Sequence, residues 1–354
     1  MNEDPRAIAT RLTELDDVTG VWAVAGRRLE AGDAAFVAGL GIAMWQRHGQ
    51  DANPPWQYRS AFDHVLRLLA LAPGRIDEAL RLMAVTIDRR RARYAASLLA
   101  SAHSADELTQ VFRGPASDEL RACVRQESIL RSAEIGHPWN APWHPLAWLP
   151  PALTPLEGRP GLPSYHVNGG SRDTPGLAVT PARRSGTAQP ARATTTEAES
   201  TAIGTAVANW AEGSNGRIEA RTFALDAELP PDALPATLVS LGLKSYHKPK
   251  SSPGPCSATQ AWQQLFLAAS GGGAYNDGDY GAYGRLFAWQ SVAALVGAPP
   301  ETPASEVEAM ALASSWHWFA GTTKWFDDVA WDIGLAVVSP DRRRLAVLAA
   351  TDTD

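Results

Sequence analysis

Residues 158–196 hold six Gly, five Pro and nine Ser or Thr among 39 positions. Such a stretch has few side chains to bury, so burial offsets little of the entropy of ordering it. Only Leu162, Tyr165, Val167, Leu177 and Val179 can contribute to a core there. A segment of this length without structure is unusual inside one domain. The 354-residue chain is therefore expected to divide. The expectation is a helical domain over 1–150, an extended and mobile linker over 151–203, and an α+β domain over 204–354.

The first 135 residues carry apolar side chains at helical spacing. Phe36, Val37, Leu40 and Met44 form one such stripe, and Phe62, Val65, Leu66 and Leu69 form another. The clearest runs through Ile76, Leu80, Met83, Ile87, Tyr94 and Leu98, interrupted by Arg89-Arg90-Arg91. It reads as one long helix. Gly- or Pro-containing loops separate the stripes, which suggests antiparallel hairpins in a bundle or a short solenoid. Gly136–Pro151 holds five Pro and three Trp, which forbids a regular helix. An extended segment pinned by its aromatic rings is expected.

The pattern changes after residue 200. Arg217–Leu225 alternates with a period of two, which predicts a strand. Helices are expected at Ala202–Ala211, Pro235–Leu241, Ser257–Ala269, Gly284–Val296 and Pro303–Ser314, the last capped by Thr302. Trp331–Val338 and Leu345–Ala350 flank a Pro- and Asp-containing turn and form a hairpin. The fold class is α+β, with a small, mainly antiparallel sheet in the C-terminal domain.

Charge is uneven. Residues 1–150 have a net charge of -1, residues 151–203 of +1, and residues 204–354 of -6. An acidic domain does not suit a nucleic-acid backbone, so nucleic acid is not expected as a partner. The 28 Arg against four Lys fit a GC-rich genome. No run of 18 apolar residues exists, and Met1–Arg6 lacks the order of a signal peptide. A soluble, cytoplasmic protein without a membrane contact is expected.

Three stretches carry a resemblance: Val207–Arg221, Gly272–Arg285, and Trp325–Ala336 with the terminal Leu345–Asp354. Over these the chain resembles an uncharacterised actinobacterial family, a domain of unknown function. The match extends more weakly over the helical part. The resemblance implies an actinobacterial origin and carries over no activity and no catalytic residue.

Candidate chemistry concentrates in Ser270–Arg285. Tyr275, Asn276, Tyr280, Tyr283 and Arg285 are candidate ligand-binding residues in a glycine-rich frame, with Asp277 and Asp279 as candidate acids or bases. Glycines let backbone N–H groups approach a ligand, and Arg285, opening the next helix, can meet an anion. A surface turn with its tyrosines packed on the sheet explains the same residues. The calcium-loop pattern is incomplete, and no metal or other cofactor is assigned.

A second group is His317 with Asp328 and Asp332, where His317 can exchange a proton near neutral pH and the carboxylates can orient it. Alternation of Trp316 and Trp318 into a core, with His317 on the other face, is the simpler account. His137 and His144 lie in a proline-rich loop without the Cys or acidic residue a metal shell needs, and read as polar edges of an aromatic plug. Arg89-Arg90-Arg91-Ala92-Arg93 can meet an acidic partner or form a solvated face. Cys123 reads as core, and Cys256, after Pro-Gly-Pro, as a loop residue.

No nucleophile elbow, Walker A or zinc-protease motif is present. The favoured reading is a binding or regulatory protein for an unidentified protein or small molecule. The alternative is a hydrolase or transferase of specialised metabolism, with its site between Tyr275–Arg285 and His317–Asp332.

Overall fold

The structure, a computed structural model, describes residues 4–86, 88–182, 186–327 and 330–353. It divides into two compact units, residues 1–147 with 163–171, and residues 148–162 with 172–354. The fold is α+β, with a helical N-terminal part and antiparallel sheets toward the C-terminus.

The first unit is built from α1 (Pro5–Arg11), α2 (Thr19–Glu30), α3 (Ala34–His48), α4 (Trp56–Ala70), α5 (Ile76–Thr86), α6 (Arg89–Ala102), α7 (Ala105–Arg113) and α8 (Asp118–Leu130). Their starts are written in short polar side chains. Asp4, Asp33, Asp88, Ser104 and Ser117 each accept a backbone N–H of the first turn. Ser104 and Glu107 close a reciprocal capping box. Helices α1, α3, α5 and α7 stack in one row, and α2, α4, α6 and α8 in a second. This is the layering of a short solenoid, in which each helical hairpin buries its apolar face on its neighbours.

Two contacts fix the alignment of the second row. The Arg91 guanidinium, in the first turn of α6, lies 5.2 Å from the centroid of the Phe62 ring, in the second turn of α4. At the other end the His103 ring nitrogen Nε2 is 3.0 Å from the Ala70 carbonyl. A hairpin of β1 (Ser164–His166) and β2 (Gly169–Ser171) belongs to this unit. It is held by Tyr165 Oη, 2.9 Å from Ser97 Oγ, and by Arg67 Nε donating to the Val167 carbonyl at 2.7 Å.

The long helix expected over residues 76–98 is two helices. Asp88 accepts the Arg91 N–H at 2.8 Å and starts α6 afresh, so α5 closes at Thr86 and a separate helix opens at Arg89. The apolar stripe continued across the break because both helices bury the same face type, and periodicity alone does not see it. Ile87, part of that stripe, lies outside the described residues.

The second unit centres on a six-stranded antiparallel sheet of order β3–β4–β8–β7–β6–β5. Its strands are β3 (Ala191–Ala193), β4 (Arg217–Leu225), β5 (Gly254–Cys256), β6 (Ser315–Trp318), β7 (Trp331–Val338) and β8 (Arg344–Asp352). The helices are α9 (Glu197–Gly204), α10 (Ala208–Gly213), α11 (Leu234–Ser240), α12 (Ala258–Gly271), α13 (Tyr280–Val296) and α14 (Ala304–Ala313). Helices α9, α12 and α13 pack on the sheet. A second apolar cluster joins Phe223, Ala336, Val338, Leu345 and Val347 of the strands to Leu234 and Leu238 of α11.

Several boundaries differ from the sequence reading. The helix expected at 202–211 begins at Glu197, behind a Thr196–Glu199 capping box, and is broken by a 3₁₀ turn at Thr205–Val207. Helix α13 begins at Tyr280 rather than Gly284, so Arg285 sits in its second turn. Thr302 does not cap α14, because its hydroxyl donates to the Pro299 carbonyl at 2.7 Å.

The stretch whose composition suggested a linker is distributed over both units. Residues 164–171 form the small hairpin of the first, and Ala191–Ala193 form an edge strand of the second. Between them the Gly176 N–H donates to Gln264 Oε1 at 2.6 Å, and the Ala182 N–H to the Pro253 carbonyl at 3.0 Å. Backbone hydrogen bonds, which composition does not report, hold what apolar burial does not.

Candidate functional site

The glycine-rich loop joins α12 to α13. Gly272, at φ 76°, and Gly278, at φ 66°, place it in the left-handed region. A Cβ on Gly272 would meet Asn276 Oδ1 and the Gly278 nitrogen at 2.2 and 2.4 Å, so no side chain fits there. Asn276 is the loop's internal brace. Its Oδ1 accepts the Gly278 N–H at 2.9 Å, and its Nδ2 donates to the Asn209 carbonyl at 2.9 Å. Asn209 Nδ2 in turn donates to the Ala269 carbonyl at 3.1 Å and to Asp279 Oδ2 at 3.4 Å. The Ala274 N–H donates to the buried Asp352 carboxylate at 2.8 Å, which ties the loop to the end of β8. Asp277 is exposed beside Arg172, 3.7 Å away, and Arg172 also donates to the Asn276 carbonyl. Tyr275 is exposed, whereas Tyr283 is buried. Tyr280 is half-buried and opens α13 at φ 59°.

Arg285 does not face this loop's solvent side. It is fully buried in a bidentate pair with Glu157, with Nε–Oε1 at 2.6 Å and Nη2–Oε2 at 2.8 Å. Its remaining donors reach the Pro150 and Ala152 carbonyls at 3.0 and 2.9 Å. Glu157 also accepts the Trp289 indole N–H at 2.9 Å and the Thr154 N–H at 2.9 Å. Ionised partners strengthen such bonds, and the fork geometry of guanidinium matches a carboxylate. The group fastens residues 150–157 to α13. The anion expected at Arg285 is thus the protein's own Glu157.

The second group lies on the sheet. Arg217, Thr351 and Asp332 are neighbours in one cross-strand row over β4, β8 and β7. Thr351 Oγ1 donates to Asp332 Oδ1 at 2.6 Å and accepts the Asp327 N–H at 3.1 Å. Arg217 Nη2 pairs with Asp327 at 3.0 Å, and its guanidinium lies 5.5 Å from the Trp325 ring centroid. Asp328 lies outside the described residues. Asp332 is the second residue of β7.

His317 stands in a different row, opposite Pro255 and Ala336. Ala336 is four residues along β7 from Asp332, or about 13 Å of strand. Trp316 and Trp318 are buried, and His317 alternates to the other face with Nδ1 lacking a hydrogen-bond partner among the described residues. Burial pushes its pKa down to about 4, so the ring is neutral at pH 7.

The two groups occupy opposite faces of the sheet. Thr351 and Asp352 are consecutive in β8, and successive strand side chains point to opposite sides. The glycine-rich loop is bonded to Asp352, and the Arg217–Asp332 row to Thr351.

His137 and His144 share a local device. Each precedes a proline, and each Nδ1 accepts the N–H two residues on, from Trp139 and from Leu146, both at 3.2 Å. His144 Nε2 faces Glu119 at 3.3 Å, and His137 stacks on Phe112 at 5.4 Å. Among the described residues no group of three or more His, Cys, Asp or Glu is placed to hold a metal. Burial raises the Cys123 thiol well above its usual value and pushes the half-buried Cys256 up to about 12, so neither is a thiolate at neutral pH.

Glu157, Asn209, Thr351 and Asp352 organise these places, and sequence reasoning did not select them. Each lies far in sequence from the residue it holds, and no local spacing links Glu157 to Arg285. No helix among the described residues is long and apolar enough to cross a membrane. Neither a curated protein nor a solved structure matches the chain. A family model matches residues 19–354. The chain belongs to DUF6183, a family of unknown function.

Proposed function

We propose that this protein is a non-catalytic binding protein whose two-row helical unit supplies the recognition surface. The observation that carries the reading is the separation of the acid–base candidates. Asp277 and Asp279 belong to a loop bonded to Asp352 on one face of the sheet, and Asp332 lies on the other. His317 is about 13 Å of strand from Asp332 and is held neutral. General acid–base work needs such groups within hydrogen-bond or one-water reach of a common atom. A stacked helical array, by contrast, offers the extended surface that repeat proteins use for partners. The reading includes an actinobacterial origin, consistent with 28 Arg against four Lys, and a cytoplasmic location.

The test is turnover by purified protein on chromogenic ester, phosphate and glycoside substrates, beside the His317→Gln and Asp279→Asn variants. The expected rate equals the buffer blank for all three proteins. Turnover by the parent protein that either variant abolishes would overturn the reading.

A further inference from the structure

The helical unit exposes three large apolar side chains among its described residues, and all three lie at helix ends along one edge of the array. Trp56 is 48% exposed at the first position of α4. Val85 is exposed at the close of α5. Trp143 is 67% exposed beside His144, whose Nε2 is 3.3 Å from Glu119 in the first turn of α8. Scattered exposed apolar residues need no explanation, but their collection at one edge does.

The same edge is basic. Arg89 and Arg90, the first two residues of α6, are exposed between Trp56 and Trp143. Their placement follows from the aligned row: Arg91 lies over Phe62 of α4, and Arg93 Nε is 4.0 Å from Glu119 of α8. Arg47, Arg59 and Arg113 are also exposed at the helix ends that meet here. Asp51, Asp88 and Asp118 are exposed among them; Asp88 is occupied in capping α6, and Asp118 pairs with Arg121 at 3.0 Å.

We infer that this edge, from Trp56 across Arg89 and Arg90 to Trp143, is the docking surface for an acidic, extended protein segment that carries apolar side chains. This rests on the binding reading above and names its partner class. Three helices at an interaxial spacing of 8–10 Å give a strip roughly 16–20 Å long. That is the span of about five or six residues of extended chain. Trp and Arg are the side chains most enriched where interfaces gain their affinity. The exposed Trp56, Val85 and Trp143 between the arginines offer apolar contacts that phosphate groups do not use, which favours a segment carrying apolar side chains.

The probe is a fluorescein-labelled 12-residue peptide of Glu and Asp with two Leu, titrated with the full chain in fluorescence anisotropy. Saturable binding is expected, at least tenfold weaker for Arg89→Glu/Arg90→Glu and at least fivefold weaker for Trp143→Ala. Trp143→Phe should recover most of the loss, and far-UV circular dichroism should be unchanged in every variant. Absence of saturable binding would overturn the inference, as would variants that bind like the parent. Equal affinity for a single-stranded oligonucleotide or for anionic vesicles would overturn it too, marking a general polyanion surface. The turnover assay above fails independently of these results, so the surface and the binding reading are tested apart.

Discussion

Arg285–Glu157 and Arg217–Asp327 bring the same two chemical groups together at 2.6 and 3.0 Å, and they do different things. The first pair is fully buried, and each charge is enclosed by further bonds from Trp289, Thr154 and two carbonyls. The second is half exposed at the rim of the sheet. A buried charge that loses its partner bears the full cost of desolvation, whereas an exposed one recovers water. The arginine that most resembled a ligand-binding residue is therefore a structural bolt. The partly solvated arginine remains available for contacts at the sheet's rim.

The largest expected effect is at the buried pair. Glu157→Gln should destabilise the protein by about 3–5 kcal/mol in urea unfolding, because it strands the Arg285 charge. Replacing both partners with Met should cost less than the sum of the two single changes, which a double-mutant cycle measures. A sum that is simply additive would break the claim that the two groups act as one.

His317 gives the next effect, read from pH. Its folded pKa of about 4 lies below the unfolded value near 6.5. The unfolded state therefore takes up the proton first as pH falls. Stability from this group is complete above pH 6.5 and declines as the pH is lowered through 4, by at most about 3 kcal/mol. In His317→Gln that part of the slope should vanish. An unchanged slope would place the titration elsewhere.

Smaller still, Ser104→Ala should cost about 1 kcal/mol by opening the capping box of α7. Ser104 and Glu107 are more exposed than Glu157, but they satisfy backbone N–H groups that have no other partner in the helix. At the bottom of the scale, Arg217→Met should cost less than about 1 kcal/mol, since its pair with Asp327 is exposed.

What the sequence disclosed follows from range. Arg217–Leu225 read as a strand from its period of two and is one. Trp331–Val338 and its hairpin partner were legible from the turn they flank, marked by Pro340 and Asp341. Helical stripes located the apolar faces of the first unit, and Asp88 carried a start signal that the stripe alone overrode. The candidate residues were legible as residue types and not as an arrangement. That Arg285 meets Glu157, 128 positions away, is a property of the packed chain. That Asp352 and Thr351 separate the two acid groups onto opposite faces needed the register of β8. The hairpin at 164–171 and the edge strand at 191–193 are held by backbone bonds that composition does not encode.

Side-by-side urea unfolding of Arg285→Met and Arg217→Met, measured against the parent protein, tests the role of Arg285 most directly. The prediction is a loss of about 3 kcal/mol or more for Arg285→Met and less than about 1 kcal/mol for Arg217→Met. Equal losses, or an Arg285→Met protein as stable as the parent, would contradict the assignment of Arg285 to the frame of the molecule and return it to the list of ligand-binding residues.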